Sequence, residues 1–177
     1  MRPRSPALAL LLVLVIALGA CGDDDEGADS PASTARQTDS TEQSPAALEE
    51  ALKDTSTKPV IPKPTGTPPR RLVKEDIVRG KGPAAKAGDV VTVHYEGVTF
   101  STGEQFDASW DRGQPFTFRL GGQVIEGWNR GIVGMRKGGR RMLTIPPEQA
   151  YGAQGSPPVI GPNETLVFVV DMLRIRR

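Results

Sequence analysis

Residues 165–175 have the sequence TLVFVVDMLRI, and large apolar side chains occupy most of these positions. Side chains alternate between the two faces of a β-strand, so every second residue shares a face. Both alternating sets are apolar here, which is typical of a strand that is covered on both sides. The two sets are Leu166, Phe168, Val170 and Met172, and Val167, Val169, Leu173 and Ile175. The stretch therefore predicts the central strand of a sheet.

Three further segments, residues 90–95, 116–120 and 141–145, have the two-residue period of strands. Only residues 124–135 suggest a helix, and that helix would be short. Dipeptides that favour turns separate the segments, namely Thr102-Gly103, Gly121-Gly122, Gly138-Gly139 and Pro146-Pro147. These patterns predict an α+β fold in which residues 70–177 form a twisted antiparallel β-sheet wrapped around one short α-helix.

The N-terminus has the pattern of a targeting segment. Arg2 and Arg4 precede an uninterrupted run of apolar or small residues from 7 to 20. Such a run is too short to span a membrane comfortably, so residues 1–20 are predicted to be a secretory signal peptide. The run ends in Leu18-Gly19-Ala20-Cys21, which resembles a bacterial lipobox, where the cysteine becomes the lipidated first residue. On this interpretation Cys21 anchors the protein to the bacterial cell envelope outside the cytoplasm; simple signal cleavage and a retained anchor are the alternatives.

Residues 21–69 have the composition of a tether, acidic at first and then rich in proline. They contain ten acidic and four basic residues and few large apolar side chains. Such a segment buries too little surface to offset its conformational entropy, so we expect disorder. Two exceptions are open: Ser44 and Pro45 could start a marginal two-turn helix up to Lys53, and Val60 and Ile61 could pack on the edge of the domain.

Composition excludes several kinds of chemistry in the predicted domain. His94 is the only histidine and Cys21 the only cysteine, so a Ser-His-Asp triad or a His/Cys metal site is excluded, and no cofactor is expected. His94 is expected to face solvent. The carboxylates Asp107 and Asp111 are weak evidence for glycosidase chemistry. The domain carries eleven acidic and sixteen basic residues without a basic stripe, which argues against nucleic-acid binding.

Aromatic side chains in short, turn-flanked motifs are the distinctive feature of the domain. Six motifs resemble, in order, the signature of FKBP-type peptidyl-prolyl isomerases, and the resemblance covers residues 72–177. They are Val93-His94-Tyr95-Glu96-Gly97, Phe106-Asp107-Ala108-Ser109, Pro115-Phe116-Thr117-Phe118, Gly122-Gln123-Val124-Ile125-Glu126-Gly127-Trp128, Ile145-Pro146-Pro147-Glu148-Gln149-Ala150-Tyr151-Gly152 and Asn163-Glu164-Thr165-Leu166-Val167-Phe168.

The resemblance implies a pocket for a prolyl ring, with Trp128 as its floor. The residues that it implies for catalysis are Tyr95, Phe106, Asp107, Tyr151 and Phe168. Those that it implies for substrate binding are Phe116, Val124, Ile125, Trp128 and Ile160. Asp107, Tyr151 and the backbone N–H of Ile125 would supply polar contacts, and Arg112 would orient Asp107. Phe118 is assigned instead to ordinary core packing.

The expected function is peptidyl-prolyl cis/trans isomerisation, which accelerates the folding of exported proteins. The pocket would act without covalent chemistry, by stabilising a twisted amide. Expected partners are proline-containing exported polypeptides, macrolide inhibitors of the tacrolimus and rapamycin type, and a membrane through the N-terminal lipid. The alternative is a non-catalytic module, a chaperone-like or partner-binding domain that binds proline-containing ligands in the same pocket.

Overall fold

The structure is a computed structural model that describes residues 44–122 and 124–177. The predicted signal peptide, the predicted lipid-bearing Cys21 and residues 22–43 of the predicted tether lie outside the described residues. Two helices are described, α1 (Pro45–Lys53) and α2 (Glu126–Gly131). Neither of these helices has the length and apolar character needed to cross a membrane. The strands are β1 (Val73–Val78), β2 (Lys81–Ala84), β3 (Val90–Thr99), β4 (Gln105–Ala108), β5 (Phe116–Arg119), β6 (Arg136–Lys137), β7 (Arg140–Ile145) and β8 (Leu166–Arg176).

The strand predicted to be central does lie in the middle of the main sheet. The strand order is β1-β7-β8-β3-β4, and β5 also pairs with β3. Every pairing in this sheet is antiparallel. β8 pairs with β3 along the whole length of β3, from Val90 opposite Arg176 to Thr99 opposite Leu166. β2 and β6 form a separate two-stranded sheet. The α+β prediction is confirmed.

Both faces of β8 are covered by apolar side chains. Leu166, Phe168, Val170 and Met172 belong to the core on the side of α2, which also contains Trp128 and Ile132. Val167 and Val169 belong to a smaller cluster on the opposite face of the sheet. Ile175 departs from the predicted alternation, because it packs on the α2 side. The reason is a register shift between β3 and β8 that leaves Leu173 without an opposite residue, and such a bulge reverses the faces beyond it.

Close packing against β7 explains the glycines of α2. A side chain at Gly127 would collide with Ile145, and one at Gly131 would lie 2.7 Å from the side chain of Leu143. The helix axis can therefore approach the sheet more closely than a helix with larger residues at these two positions. The helix is shorter than the predicted residues 124–135, and the chain turns at Gly134, whose φ is +92°.

The segment predicted to be a disordered tether packs on the domain from Ser44 to Ile61. α1 has the expected cap, since the backbone N–H of Ala47 donates to Oγ of Ser44 at 3.3 Å. Leu52 and Ile61 are 7% and 8% exposed and pack with Val167 and Val169. Disorder is therefore wrong for residues 44–61, because Leu52 and Ile61 cover a face of β8 that would otherwise contact water. The two open exceptions hold in part: the helix forms and Ile61 packs, whereas Val60 is 56% exposed. Among the described residues, the compact unit includes the chain from Ser44 onward and does not begin at Arg70.

Arg140 attaches this segment to the sheet by hydrogen bonds. Its side chain is 0% exposed, and its Nε and Nη2 donate to the carboxylate of Asp171 at 2.5 and 2.8 Å. The remaining guanidinium donors reach backbone carbonyls of the segment at 2.9–3.0 Å, namely those of Leu52, Asp54 and Thr57. A buried charge needs such partners, because an unpaired charge away from water is strongly unfavourable.

We expect Leu52→Ala to lower the free energy of unfolding by about 2 kcal/mol or more, the usual range for a buried leucine. Leu48→Ala is the matched control, because Leu48 lies on the same helix but is only partly buried. Urea unfolding of the two variants measures the difference. Equal effects near zero in both variants would show that α1 does not pack on the sheet.

Candidate functional site

An open cavity of about 560 Å³ lies between α2 and the concave side of the sheet. Strands supply Tyr95 from β3, Phe106 and Asp107 from β4, Phe116 from β5 and Phe168 from β8. Helix α2 supplies Trp128, while Val124 and Ile125 come from the chain that leads into it. Tyr151 comes from between two short 3₁₀ turns, Pro147–Gln149 and Gly152–Gln154. The lining therefore joins six separate parts of the chain.

The aromatic rings form a floor and walls. The ring centroid of Trp128 lies 5.0 Å from that of Tyr95 and 5.3 Å from that of Phe168, and both pairs meet edge to face. Phe106 meets Phe168 in the same way at 5.3 Å. Edge-to-face contacts are the favoured arrangement of aromatic pairs and hold the rings in fixed orientations. Trp128 is 5% exposed, whereas Phe116 and Tyr151 are 40% and 41% exposed, so the base of the cavity is shielded from solvent and its mouth is open.

One wall of the cavity carries a polar network centred on Asp107. The hydroxyl of Tyr95 donates to Oδ2 of Asp107, and Nη1 of Arg112 donates to Oδ1. Nη2 of Arg112 also donates to the Tyr95 hydroxyl at 2.8 Å. Burial, together with the hydrogen bond to Asp107, raises the pKa of Tyr95 to about 12. Two side chains, Tyr95 and Arg112, thus hold the carboxylate of Asp107 in a fixed position beside apolar rings.

Burial also raises the pKa of Tyr151, and the charge of Asp107 acts in the same direction. The phenol therefore stays neutral at the mouth of the cavity, where its hydroxyl can donate a hydrogen bond to a ligand. Tyr151 lies between the two 3₁₀ turns and lines the same cavity as Asp107. The cavity thus combines apolar rings with a few oriented polar groups.

Ser109 fixes the chain that follows Asp107, a role that only its place in a motif could have indicated. It is 0% exposed, and its Oγ accepts a hydrogen bond from the backbone N–H of Tyr95 at 2.8 Å. Its own N–H donates to the carbonyl of Tyr95 at 3.0 Å. Tyr95 and Asp107 are already joined by a side-chain hydrogen bond, so Ser109 adds a second connection between β3 and the chain around the end of β4.

His94 is half-buried rather than fully open to solvent, as the sequence predicted it to be. Its ring stacks on Trp110 with centroids 4.2 Å apart, and its Nδ1 lies 2.9 Å from Oγ of Ser109. Burial lowers the pKa of His94. Trp110 was missed because nothing in its local sequence separates an aromatic that covers a neighbouring strand from an exposed loop residue. Neither ring lines the cavity.

The structure brings together nine of the ten predicted pocket residues and leaves out Ile160. Ile160 is buried in the core, because its loop folds back and pairs Ser156 with Ile160. Phe118 does not line the cavity either; it stacks on Phe116 at 5.3 Å and packs against the core, as predicted. Arg112 contacts Asp107 as expected.

Known proteins resemble this chain over most of its C-terminal part. The model of the family described as FKBP-type peptidyl-prolyl cis-trans isomerase matches residues 82–173. The chain is 54% identical over 120 residues to the FK506-binding protein of Streptomyces anulatus, a match that covers 67% of this chain and 97% of that protein. It is 55% identical over 117 residues to the probable FK506-binding protein of Corynebacterium glutamicum, covering 66% and 97% of the two chains.

Among solved structures, the crystal structure of AtFKBP13 resembles this one with a TM-score of 0.55 and 40% sequence identity. The match covers 58% of this chain and 91% of the other. The cavity, its polar wall and these relatives agree: the chain belongs to the family of FKBP-type peptidyl-prolyl cis-trans isomerases.

Proposed function

We propose that this isomerase accelerates X-Pro isomerisation in exported polypeptides by stabilising a twisted amide in the aromatic cavity. The observation that carries the mechanism is the fixed carboxylate of Asp107 beside a cavity with a buried aromatic floor. Rotation about a peptide bond has a barrier of about 18–20 kcal/mol, because conjugation gives the C–N bond double-bond character. X-Pro bonds populate both isomers, so a catalyst needs only to lower this barrier.

The shielded base of the cavity favours the transition state over the planar amide. A planar amide is the more polar of the two, since conjugation moves charge from nitrogen to oxygen, and it loses more hydration on entering an apolar site. The prolyl ring would lie on Trp128, between Tyr95 and Phe168, whose rings meet the indole edge to face. Contacts that are stronger in the transition state than in the ground state raise the rate.

Asp107 supplies charge where the twisted amide needs it. When conjugation is lost, nitrogen no longer donates electrons to the carbonyl carbon, and that carbon becomes electron-poor. A carboxylate held by Tyr95 and Arg112 stabilises this atom without having to reorient. The backbone N–H of Ile125 and the hydroxyl of Tyr151 stay predicted donors to the substrate. No proton is transferred and no covalent bond is formed.

The same cavity is the proposed site for macrolides. The relatives from Streptomyces anulatus and Corynebacterium glutamicum are described as FK506-binding proteins, the second as a probable one. A mouth formed by the half-exposed rings of Phe116 and Tyr151 can take a ligand larger than a prolyl ring. We expect tacrolimus-like and rapamycin-like macrolides to compete with the peptide substrate.

The proposed place of action is the outer side of a bacterial membrane, to which a lipid on Cys21 would anchor the protein. The support is the sequence of residues 1–21, in which a basic start and an apolar run precede Leu18-Gly19-Ala20-Cys21. An isomerase in this position would meet unfolded polypeptides as they leave the membrane.

Asp107→Asn keeps the shape of the side chain and removes its charge. We expect kcat/KM to fall about 10-fold or more, because hydrogen bonds to charged groups contribute about 1.5–3 kcal/mol and about 1.4 kcal/mol is tenfold in rate. NMR exchange on a proline-containing peptide measures it, with Glu75→Gln, an exposed carboxylate of β1, as the control. Peptide binding by the wild type without any acceleration would instead favour a non-catalytic binding module.

The isomerisation rate should be nearly independent of pH. Because the folded-state pKa of Tyr95 is raised to about 12, its hydroxyl keeps its proton and its hydrogen bond to Asp107 throughout neutral and mildly alkaline solution. We expect kcat/KM to be flat from about pH 7 to about pH 9, below the usual tyrosine pKa of about 10. A rate that rises or falls severalfold across this range would show that a titrating group takes part.

Cys21→Ser removes the sulfur to which a lipid would be attached. We expect the variant to leave the membrane fraction and appear in the soluble extracytoplasmic fraction or the medium. Cell fractionation followed by immunoblotting measures this, and Ser44→Ala, which leaves Cys21 intact, is the control. Unchanged membrane association of Cys21→Ser would contradict the lipid anchor.

A further inference from the structure

The segment attached by Arg140 ends beside the loop that carries the polar wall of the cavity. Arg140 holds the backbone in place at Thr57, because its Nη2 donates a hydrogen bond to the Thr57 carbonyl at 2.9 Å. Pro59 and Ile61, which follow, are both buried. Lys58 lies between these fixed points, so the path of its backbone is set on both sides and its side chain leaves the segment in one defined direction.

Lys58 closes a triangle of hydrogen bonds with the loop. Its Nζ donates to Oε1 of Gln105 and to Oδ1 of Asp111, both at 2.6 Å. Nε2 of Gln105 donates to Oδ2 of Asp111, also at 2.6 Å. These bonds with Lys58 and Gln105 lower the pKa of Asp111, so its carboxylate stays charged and available to the lysine.

The triangle spans the part of the chain that presents the carboxylate of the cavity. Gln105 is the first residue of β4, and Asp111 lies in the loop beyond its end. Asp107 lies between them in sequence, and Arg112 follows Asp111 directly. Holding Gln105 and Asp111 together therefore fixes the two backbone points from which Asp107 and Arg112 extend. None of the three residues of the triangle lines the cavity.

The triangle is too exposed to contribute much to stability. The side chains of Lys58 and Asp111 are 36% and 47% exposed, and surface ion pairs contribute about 0–1 kcal/mol. Its geometric effect is separate from its energy, because small displacements of a group that contacts the transition state reduce rates strongly. Positioning of the loop is thus an effect that can be measured at nearly unchanged stability.

We propose that Lys58 is a positioning residue for the isomerase: by bridging Gln105 and Asp111 it holds the loop so that Arg112 keeps Asp107 and Tyr95 aligned at the cavity. The segment that looks like a tether in the sequence therefore takes part in setting the rate. The inference rests on the proposed role of Asp107 in the reaction.

The test uses the full chain with Lys58→Met, which keeps an unbranched side chain and removes the charge. We expect kcat to fall about 3- to 10-fold with KM nearly unchanged, since a loosened loop affects the transition state more than substrate binding. Lys58→Arg should restore most of the rate, because a guanidinium can donate to both Gln105 and Asp111. Lys53→Met is the matched control, since among the described residues Lys53 pairs with Glu50 on α1 and not with the loop.

Three further measurements separate positioning from a general loss of structure. The melting temperature of Lys58→Met should stay close to that of the wild type. Lys58→Met combined with Asp111→Asn should lower kcat no more than the more damaging single change, because both break the same triangle. Amide order parameters of residues 107–112, measured by ¹⁵N relaxation, should fall in Lys58→Met and not in Lys53→Met.

A kcat for Lys58→Met equal to that of Lys53→Met would overturn the proposal. So would a loss that Lys58→Arg does not restore and that parallels a lower melting temperature, since that result describes a structural residue. The order parameters distinguish this failure from failure of the proposed function. If the loop loosens while Asp107→Asn is fully active, Lys58 orders the loop, but Asp107 has no part in the reaction and the inference falls with it.

Discussion

The apolar surface on both faces of β8 must be covered, and the rest of the architecture follows from how each face is covered. On one face, α2 and the aromatic residues enclose the main core. On the other face, Leu52 and Ile61 of the N-terminal segment cover Val167 and Val169. Removing either cover would expose large apolar side chains to water at about 25 cal/mol per Å². The two covers therefore belong to one folded unit.

The cavity exists because α2 covers its face of the sheet incompletely. A helix of six residues, held against β7 by Gly127 and Gly131, leaves room beside Trp128 that longer elements would fill. The indole is buried from below, while rings from four strands surround the remaining space. A protein interior is normally filled to the density of an organic crystal, so an open aromatic cavity needs rigid walls. The network of Tyr95, Asp107 and Arg112 supplies one of them.

Periodicity and motifs were sufficient to predict the central strand, the class of fold and nine of the ten pocket residues. They could not predict that Ile175 changes face, because the bulge at Leu173 depends on pairing with β3. Nor could they predict that Ile160 turns into the core, since that follows from a backbone pairing within its own loop. The first departure depends on a long-range strand pairing and the second on the conformation of one loop, and the side-chain pattern indicates neither.

For the N-terminal segment the sequence predicts disorder and leaves the helix from Pro45 and the packing of Ile61 only as open exceptions, and the reason is physical. Composition measures how much apolar surface a segment carries, and residues 44–61 carry little. Composition does not measure whether a buried arginine elsewhere in the chain needs hydrogen-bond acceptors. Three of the acceptors of Arg140 are backbone carbonyls, which every sequence possesses. The side chains of the segment therefore do not indicate these hydrogen bonds.

The attachment through Arg140 has a mechanical consequence. β1 is an edge strand, paired only with β7 among the strands of the main sheet, and it is the first strand after the N-terminal segment. Tension on the chain before Ser44 would otherwise peel β1 from the sheet one residue at a time, which is the weakest direction for a strand. Arg140 of β7 donates hydrogen bonds to the carbonyls of Leu52, Asp54 and Thr57, which precede β1. A pulling force is therefore transmitted to β7 and, through the ion pair with Asp171, to β8 at the centre of the sheet.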